Sequence, residues 1–286
     1  MMRTTFAGSI FLLLVASLVS VPNSAQAALL LRYNFDEANS GTVPALDSGT
    51  GVPAPGIFNA GATRTGNTPA GNSLGALDAV VDGYVSGGDS DKLDALSTMT
   101  FTGWINLQGA PANGNRIFAK QLPSGNFDGF SFALSTPNAG SIAANNFAIN
   151  LALGGATFGF NRSAADLDAD NKWIFVAATY DGSTVQFYAG DETTAPAPLG
   201  SNLLAGANPA SLAANANEFR VATSSTGTVS APIWIDDVRV YDVVLDAAAL
   251  DAVRVANIPE PTCVTLGALG MVSLIALKRM HSRRSS

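Results

Sequence analysis

From Ala28 onward, short runs of β-branched and aromatic residues alternate with clusters of Gly, Pro, Asn and Asp, the punctuation of strands and turns rather than of helices. The runs predict strands at Leu29–Phe35, Leu77–Val85, Thr98–Leu107, Arg116–Lys120, Phe130–Ser135, Asn146–Leu153, Thr157–Asn161, Trp173–Tyr180, Thr184–Ala189, Glu218–Ala222 and Ile233–Tyr241. Several alternate with period two: Phe101, Gly103, Ile105 and Leu107 share one face of a strand, and Thr100, Thr102, Trp104 and Asn106 share the other. Strands in that number predict an all-β fold of two antiparallel sheets stacked face to face. One short helix is expected, from Ala247 to about Ala256, with Asp246 as its N-cap and Leu250 and Val253 at helical spacing. The polar stretches Pro53–Asn72 and Glu192–Asn217 read as loops, and no internal repeat is present.

The two ends break this pattern. Residues 1–27 carry an early cation at Arg3, an apolar stretch around Ile10 to Val21 and the small-residue site Ala25-Gln26-Ala27, the anatomy of a secretory signal peptide cleaved after Ala27. A retained N-terminal anchor is the alternative, but Pro22 and Asn23 interrupt the run before it reaches spanning length. At the other end, Pro259-Glu260-Pro261 precedes an apolar run of sixteen residues, Thr262 to Leu277, and then Lys278, Arg279, Arg283 and Arg284. At about 1.5 Å of rise per residue the run is somewhat short of the roughly 20 residues that cross a hydrocarbon core unaided. Positive charge beyond it favours a cytoplasmic C-terminus, with everything before Pro259 on the far side. The motif, the run and the basic end together resemble the PEP-CTERM sorting segment of bacterial envelope and exopolysaccharide-associated proteins. That resemblance implies processing by a membrane sorting enzyme, an exosortase, and delivery to the cell envelope or the extracellular matrix. An ordinary single-pass anchor remains the other reading of residues 259–286.

What remains, residues 28–258, suits one β domain of 231 residues. It carries 10 cations against 21 anions, a net charge of −11, which removes any general attraction to nucleic acid or anionic lipid. The single histidine, His281, and the single cysteine, Cys263, both lie in the tail. The domain therefore has no disulfide, no Ser-His-Asp or Cys-His catalytic arrangement and no zinc site of ordinary composition. Carboxylates are the remaining catalytic groups. Its glutamates are Glu37, Glu192 and Glu218, and no Glu-x-Asp-x-x-Glu spacing places a retaining pair on one strand face.

Five segments taken in order carry a second resemblance. They are Leu31-Arg32-Tyr33-Asn34-Phe35-Asp36-Glu37 with Asp47-Ser48-Gly49, Val81-Asp82-Gly83-Tyr84-Val85, Phe101-Thr102-Gly103-Trp104-Ile105, Trp173 with Val176 to Gly182, and Ile235-Asp236-Asp237-Val238-Arg239-Val240-Tyr241-Asp242. Together they resemble the laminin-G-like jelly rolls of the concanavalin-A-like lectin/glucanase superfamily. The resemblance implies an antiparallel jelly-roll sandwich that serves as a non-catalytic binding or structural protein, with carbohydrate, exopolysaccharide or a surface protein as partner. A glycanase-like enzyme using Asp carboxylates on the concave face, and a matrix component that binds nothing specific, are the alternatives.

By the same resemblance, Asp236 in the last strand, with Asp36 and Asp47, is nominated to hold a structural calcium; the alternative makes them a strand-end residue and turn formers. Asp166, Asp168 and Asp170 have calcium-loop spacing, but Asn171 stands where the turn glycine belongs, and Asp89, Asp91 and Asp94 read as a solvated turn. Trp104 and Trp234 are candidate platforms for a sugar ring, against the alternative that they, like Trp173, pack in the core.

Overall fold

A computed structural model describes residues 27–37, 43–69, 74–79, 83–109, 114–122, 127–138, 146–168, 171–224 and 232–256. Ala25, Pro259, Glu260 and Pro261, like nearly all of both terminal segments, lie outside them. The strands in chain order are β1 (Leu29–Tyr33), β2 (Ile57–Asn59), β3 (Thr63–Thr65), β4 (Ala76–Asp78), β5 (Tyr84–Gly88), β6 (Met99–Leu107), β7 (Arg116–Lys120), β8 (Gly129–Ser135), β9 (Asn146–Gly154), β10 (Phe158–Arg162), β11 (Leu167–Asp168), β12 (Ile174–Tyr180), β13 (Val185–Asp191), β14 (Ala197–Pro198), β15 (Asn202–Gly206), β16 (Phe219–Val221) and β17 (Ile233–Tyr241), followed by helix α1 (Ala247–Val255). Every described pairing is antiparallel.

Two sheets form the sandwich. The first runs β14-β13-β12-β6-β17-β4-β3, with β1 also on β17; the second runs β15-β10-β9-β8-β7-β16-β5-β2, with β11 on β9. Large apolar side chains at alternate positions fill the space between them, among them Phe101 and Ile105 of β6, Phe130 and Phe132 of β8, and Ile149 and Leu151 of β9. Rings meet across the interface, with Phe101 and Phe130 at 4.7 Å and Phe101 and Phe118 at 5.7 Å between centroids. Such burial is the main favourable term of the fold.

The first sheet is covered on its outer face as well. Trp104, Trp173 and Phe175 form a second apolar cluster with Leu250 and Val253 of α1. The Asp246 carboxylate accepts from Ala249 N at 2.8 Å, capping the helix at its predicted start. Where β17 lies on β6 the register slips by one residue between Asp236 and Arg239, and Asp237 takes φ 47 in the bulge.

The structure corrects the strand reading in two places. The predicted strand Leu77–Val85 is two strands in different sheets, β4 in the first and β5 in the second, so the chain crosses the sandwich between them. The two predicted loops contain β2, β3, β14 and β15, which are too short or too exposed to bury one face and so leave no alternation to read.

Candidate functional site

α1 and its apolar cluster close the outer face of the first sheet, and the outer face of the second sheet is built differently. Its composition follows from strand alternation. In β8, Phe130, Phe132 and Leu134 point into the core, which turns Ser131, Ala133 and Ser135 outward; in β9, Phe147, Ile149, Leu151 and Leu153 point in, which turns Ala148, Asn150 and Ala152 outward. The middle of this face is therefore paved with small side chains. Longer ones stand on both flanks: Arg116 on β7 and Arg220 on β16 to one side, Phe160 and Arg162 on β10 to the other. The small residues are themselves buried, none more than 7% exposed, and Arg116 and Arg162 reach across them to Ser131 and Thr136.

Register places Arg116, Ala133, Asn150 and Arg162 in one row. Arg116 Nε donates to Ser131 Oγ at 3.2 Å and its Nη1 donates to Gly114 O; Arg162 Nη2 donates to Thr136 O. The Asn150 Oδ1 and Arg162 Nε atoms are buried with no hydrogen-bond partner. Burial pulls the Arg116 guanidinium below the usual arginine value. Arg239 is buried too, yet Asp237 beside it outweighs that burial and raises its pKa. In the neighbouring row Arg220 holds Glu218 at 2.8 Å and stands 4.6 Å from the centre of the Tyr84 ring.

At one end of these strands, Phe127, Asp128, Gly154 and Phe158 line a recess of about 270 Å³. The Phe127 and Phe158 rings lie 4.7 Å apart at 33°, with Phe127 exposed. This pair offers the apolar platform a pyranose face can stack on. The sequence reading placed that role on tryptophans, and the structure moves it. Trp104 is fully buried and packs edge-on to Phe175 at 5.5 Å, so it presents no face to a ligand. Trp234 is half-buried against the same cluster, on the first sheet.

The structure does not gather the aspartates nominated for calcium. Asp36 accepts from Asn34 Nδ2 at 2.9 Å and from Leu74 N at 2.5 Å. Asp47 accepts from the backbone N–H groups of Arg32, Gly49 and Ala54 and from Lys92. Asp236 is buried on β17 opposite Trp104 and accepts from Asp237 N at 2.7 Å. Each therefore has protein donors of its own. Among the described residues, the acidic trio whose oxygens lie within 4.8 Å of one another is Asp89, Asp91 and Asp94. That trio is not simply a solvated turn, because the buried Lys120 ammonium reaches Asp89 at 3.0 Å and Asp94 at 2.8 Å and so supplies its cation from within the chain.

Of the glutamates, Glu37 pairs with Arg64 at 2.7 Å and Glu218 with Arg220. The sequence pointed to carboxylates and tryptophans; the aromatic surface lies instead at the Phe127 and Phe158 pair. The Ser-Phe-Ala-Leu-Ser and Ala-Ile-Asn-Leu-Ala alternations were visible beforehand, but which strands lie side by side was not.

The family model described as the concanavalin A-like lectin/glucanases superfamily matches residues 78–251. Domain 4 of an extracellular arabinanase from Geobacillus stearothermophilus, solved with arabinotriose, superposes with a TM-score of 0.54 at 15% identity, over 80% of this chain and 98% of that one. The binding domain of botulinum neurotoxin serotype G gives 0.51 at 13% identity, over 79% of this chain and 50% of that one. The serotype D domain solved with N-acetylneuraminic acid gives 0.50 at 13% identity, over 80% and 51%. The chain thus spans about half the length of these toxin domains. At these identities the likeness is one of fold. No curated protein matches by sequence.

Proposed function

We propose, since this chain belongs to the concanavalin A-like lectin/glucanases superfamily, that its exported domain is a non-catalytic carbohydrate-binding module of the cell envelope, with the recess at Phe127 and Phe158 as its binding surface. The observation that carries the reading is the make-up of that recess. An aromatic pair, with Phe127 exposed, lines it together with the polar groups of Asp128 and Thr157. Saccharides are recognised by that combination of an apolar platform and a few placed polar groups. The arabinanase domain and the serotype D toxin domain, both solved with bound saccharides, share the fold and so make this ligand class a natural one for it.

Export and envelope retention belong to the same reading. They rest on the signal-peptide anatomy ending at Ala27 and on the PEP-CTERM-like segment from Pro259, with an exosortase as the processing partner. The test is binding of the purified full-length chain to a glycan array, followed by assay of bound glycans for new reducing ends. Retention of one glycan class without product release is the expected result. Release of reducing sugar would replace the module with an enzyme, and no binding to any glycan would leave a structural component.

A further inference from the structure

We propose that β15, the edge strand Asn202–Gly206, is where two copies of this chain join, edge to edge about a two-fold axis. The strand ends the second sheet and, among the described residues, pairs only with β10. Its other side therefore presents unpaired backbone N–H and C=O groups, a template for a further strand. All five of its residues are exposed, Leu203 by 50% and Leu204 by 53%, so two large apolar side chains stand in solvent beside that open backbone. The remaining edges are blunted. β11 and β14 have two residues each, the latter ending in Pro198, and β2 and β3 have three each. The free side of β1 is taken by Ser48 N on Arg32 O and by Thr50 N on Leu29 O.

Charge says which partner fits. No Asp, Glu, Lys or Arg lies between Glu192 and Glu218, and this stretch forms both β14 and β15, the strands that end the two sheets and are joined by residues 199–201. A domain whose net charge is −11 thus has one side built from uncharged chain. Two such domains repel wherever their charged faces meet, and least where neither strand brings a charge. A strongly acidic or basic partner would find nothing on these strands to steer it or fix its register. A second copy finds a match, because antiparallel pairing of a strand with itself about a two-fold axis sets the same residues on both sides, leucine against leucine. The bulge at Leu204 shortens the ladder that such a pair can form. Leucine packing is then the anchor, and the association is expected to be weak, on the order of micromolar.

The experiment is sedimentation equilibrium of the full-length chain in mild detergent over a range of concentrations. A reversible monomer–dimer equilibrium is expected, weakened about tenfold or more by Leu203→Lys and by Leu204→Lys. Ile57→Lys alters a similarly exposed apolar residue, 48%, on β2 at the opposite edge of the same sheet, and should change nothing. Added salt should tighten the dimer, because only net repulsion is left to screen. Both leucines are exposed, so the variants should melt with the wild type, which melting curves check; if one melts early, the other decides. A chain that stays monomeric well above micromolar concentration overturns the proposal. So does a dimer that survives both leucine variants, which would place the contact in the apolar ends or on another face. A dimer lost equally in Ile57→Lys, or one loosened by salt, overturns it as well.

Discussion

Four donors converge on the Asp47 carboxylate: the N–H groups of Arg32 at 3.2 Å, Gly49 at 2.9 Å and Ala54 at 3.0 Å, and the Lys92 ammonium. Burial alone would push its pKa up, but Lys92 and the three backbone donors more than offset it and hold the carboxyl below the ordinary value of 3.8. A depressed folded-state pKa means that the stabilisation is present above that value and is lost as pH falls through the lower, folded one. We therefore expect Asp47→Ala to cost about 3 kcal/mol near neutral pH, since it strands three buried N–H groups and a lysine. Below pH 4 the gap between wild type and variant should narrow, which urea unfolding across pH would show; a gap independent of pH would mean that the carboxylate is not what holds this loop. Asp236 gives a second check at the same scale. Its carboxylate supports the bulge at Asp237, so Asp236→Ala should lower the melting midpoint equally in excess calcium and in chelator. A loss seen only with calcium present would return the cation role to it. Sequence suggested that role because Asp is rare mid-strand; the bulge that accounts for it depends on register with β6, which one strand's residues do not encode.

At the scale of elements, the long strands were legible and the short ones were not, for one reason. β6, β8, β9, β12 and β17 each run seven or more residues with core partners at alternate positions, long enough for period two to show. β15, whose five residues are all exposed, carries no such record, because an edge strand is specified by the neighbour it pairs with. The helix was legible from its cap, yet its purpose was not. α1 seals the first sheet by placing Leu250 and Val253 on Trp104, Trp173 and Phe175, which makes this face a second core. Leu250→Ala should accordingly cost about 2 to 5 kcal/mol, the range for emptying a buried leucine site, while Asp246→Ala should cost about 1 kcal/mol as a lost cap. Equilibrium unfolding of the two variants tests the ranking. Near-equal small losses would indicate that α1 merely rests on the sheet.

For the molecule as a whole, charge and the two ends set the expectations. Sequence alone gave the net charge of −11, but the concentration of uncompensated arginine on one face is a property of register among β7, β8, β9 and β10, whose pairing no local pattern states. At the first described residues, Ala28 N donates to Asp242 Oδ1 at 3.0 Å and Asp242 N donates back to Ala28 O at 3.3 Å, beside the strand pairing of β1 with β17. Cleavage after Ala27 would turn that amide into an ammonium facing a carboxylate, a stronger pair than the one it replaces. Among the described residues no helix is long and apolar enough to cross a membrane. On the envelope reading proposed above, retention comes either from the segment beginning at Pro259 or from the domain itself. Truncation before Pro259 separates the two: the truncated chain should appear in the medium, because the remaining mature sequence holds no apolar run of spanning length. If the truncated chain stays on the envelope, the domain itself rather than the tail holds the protein at the surface.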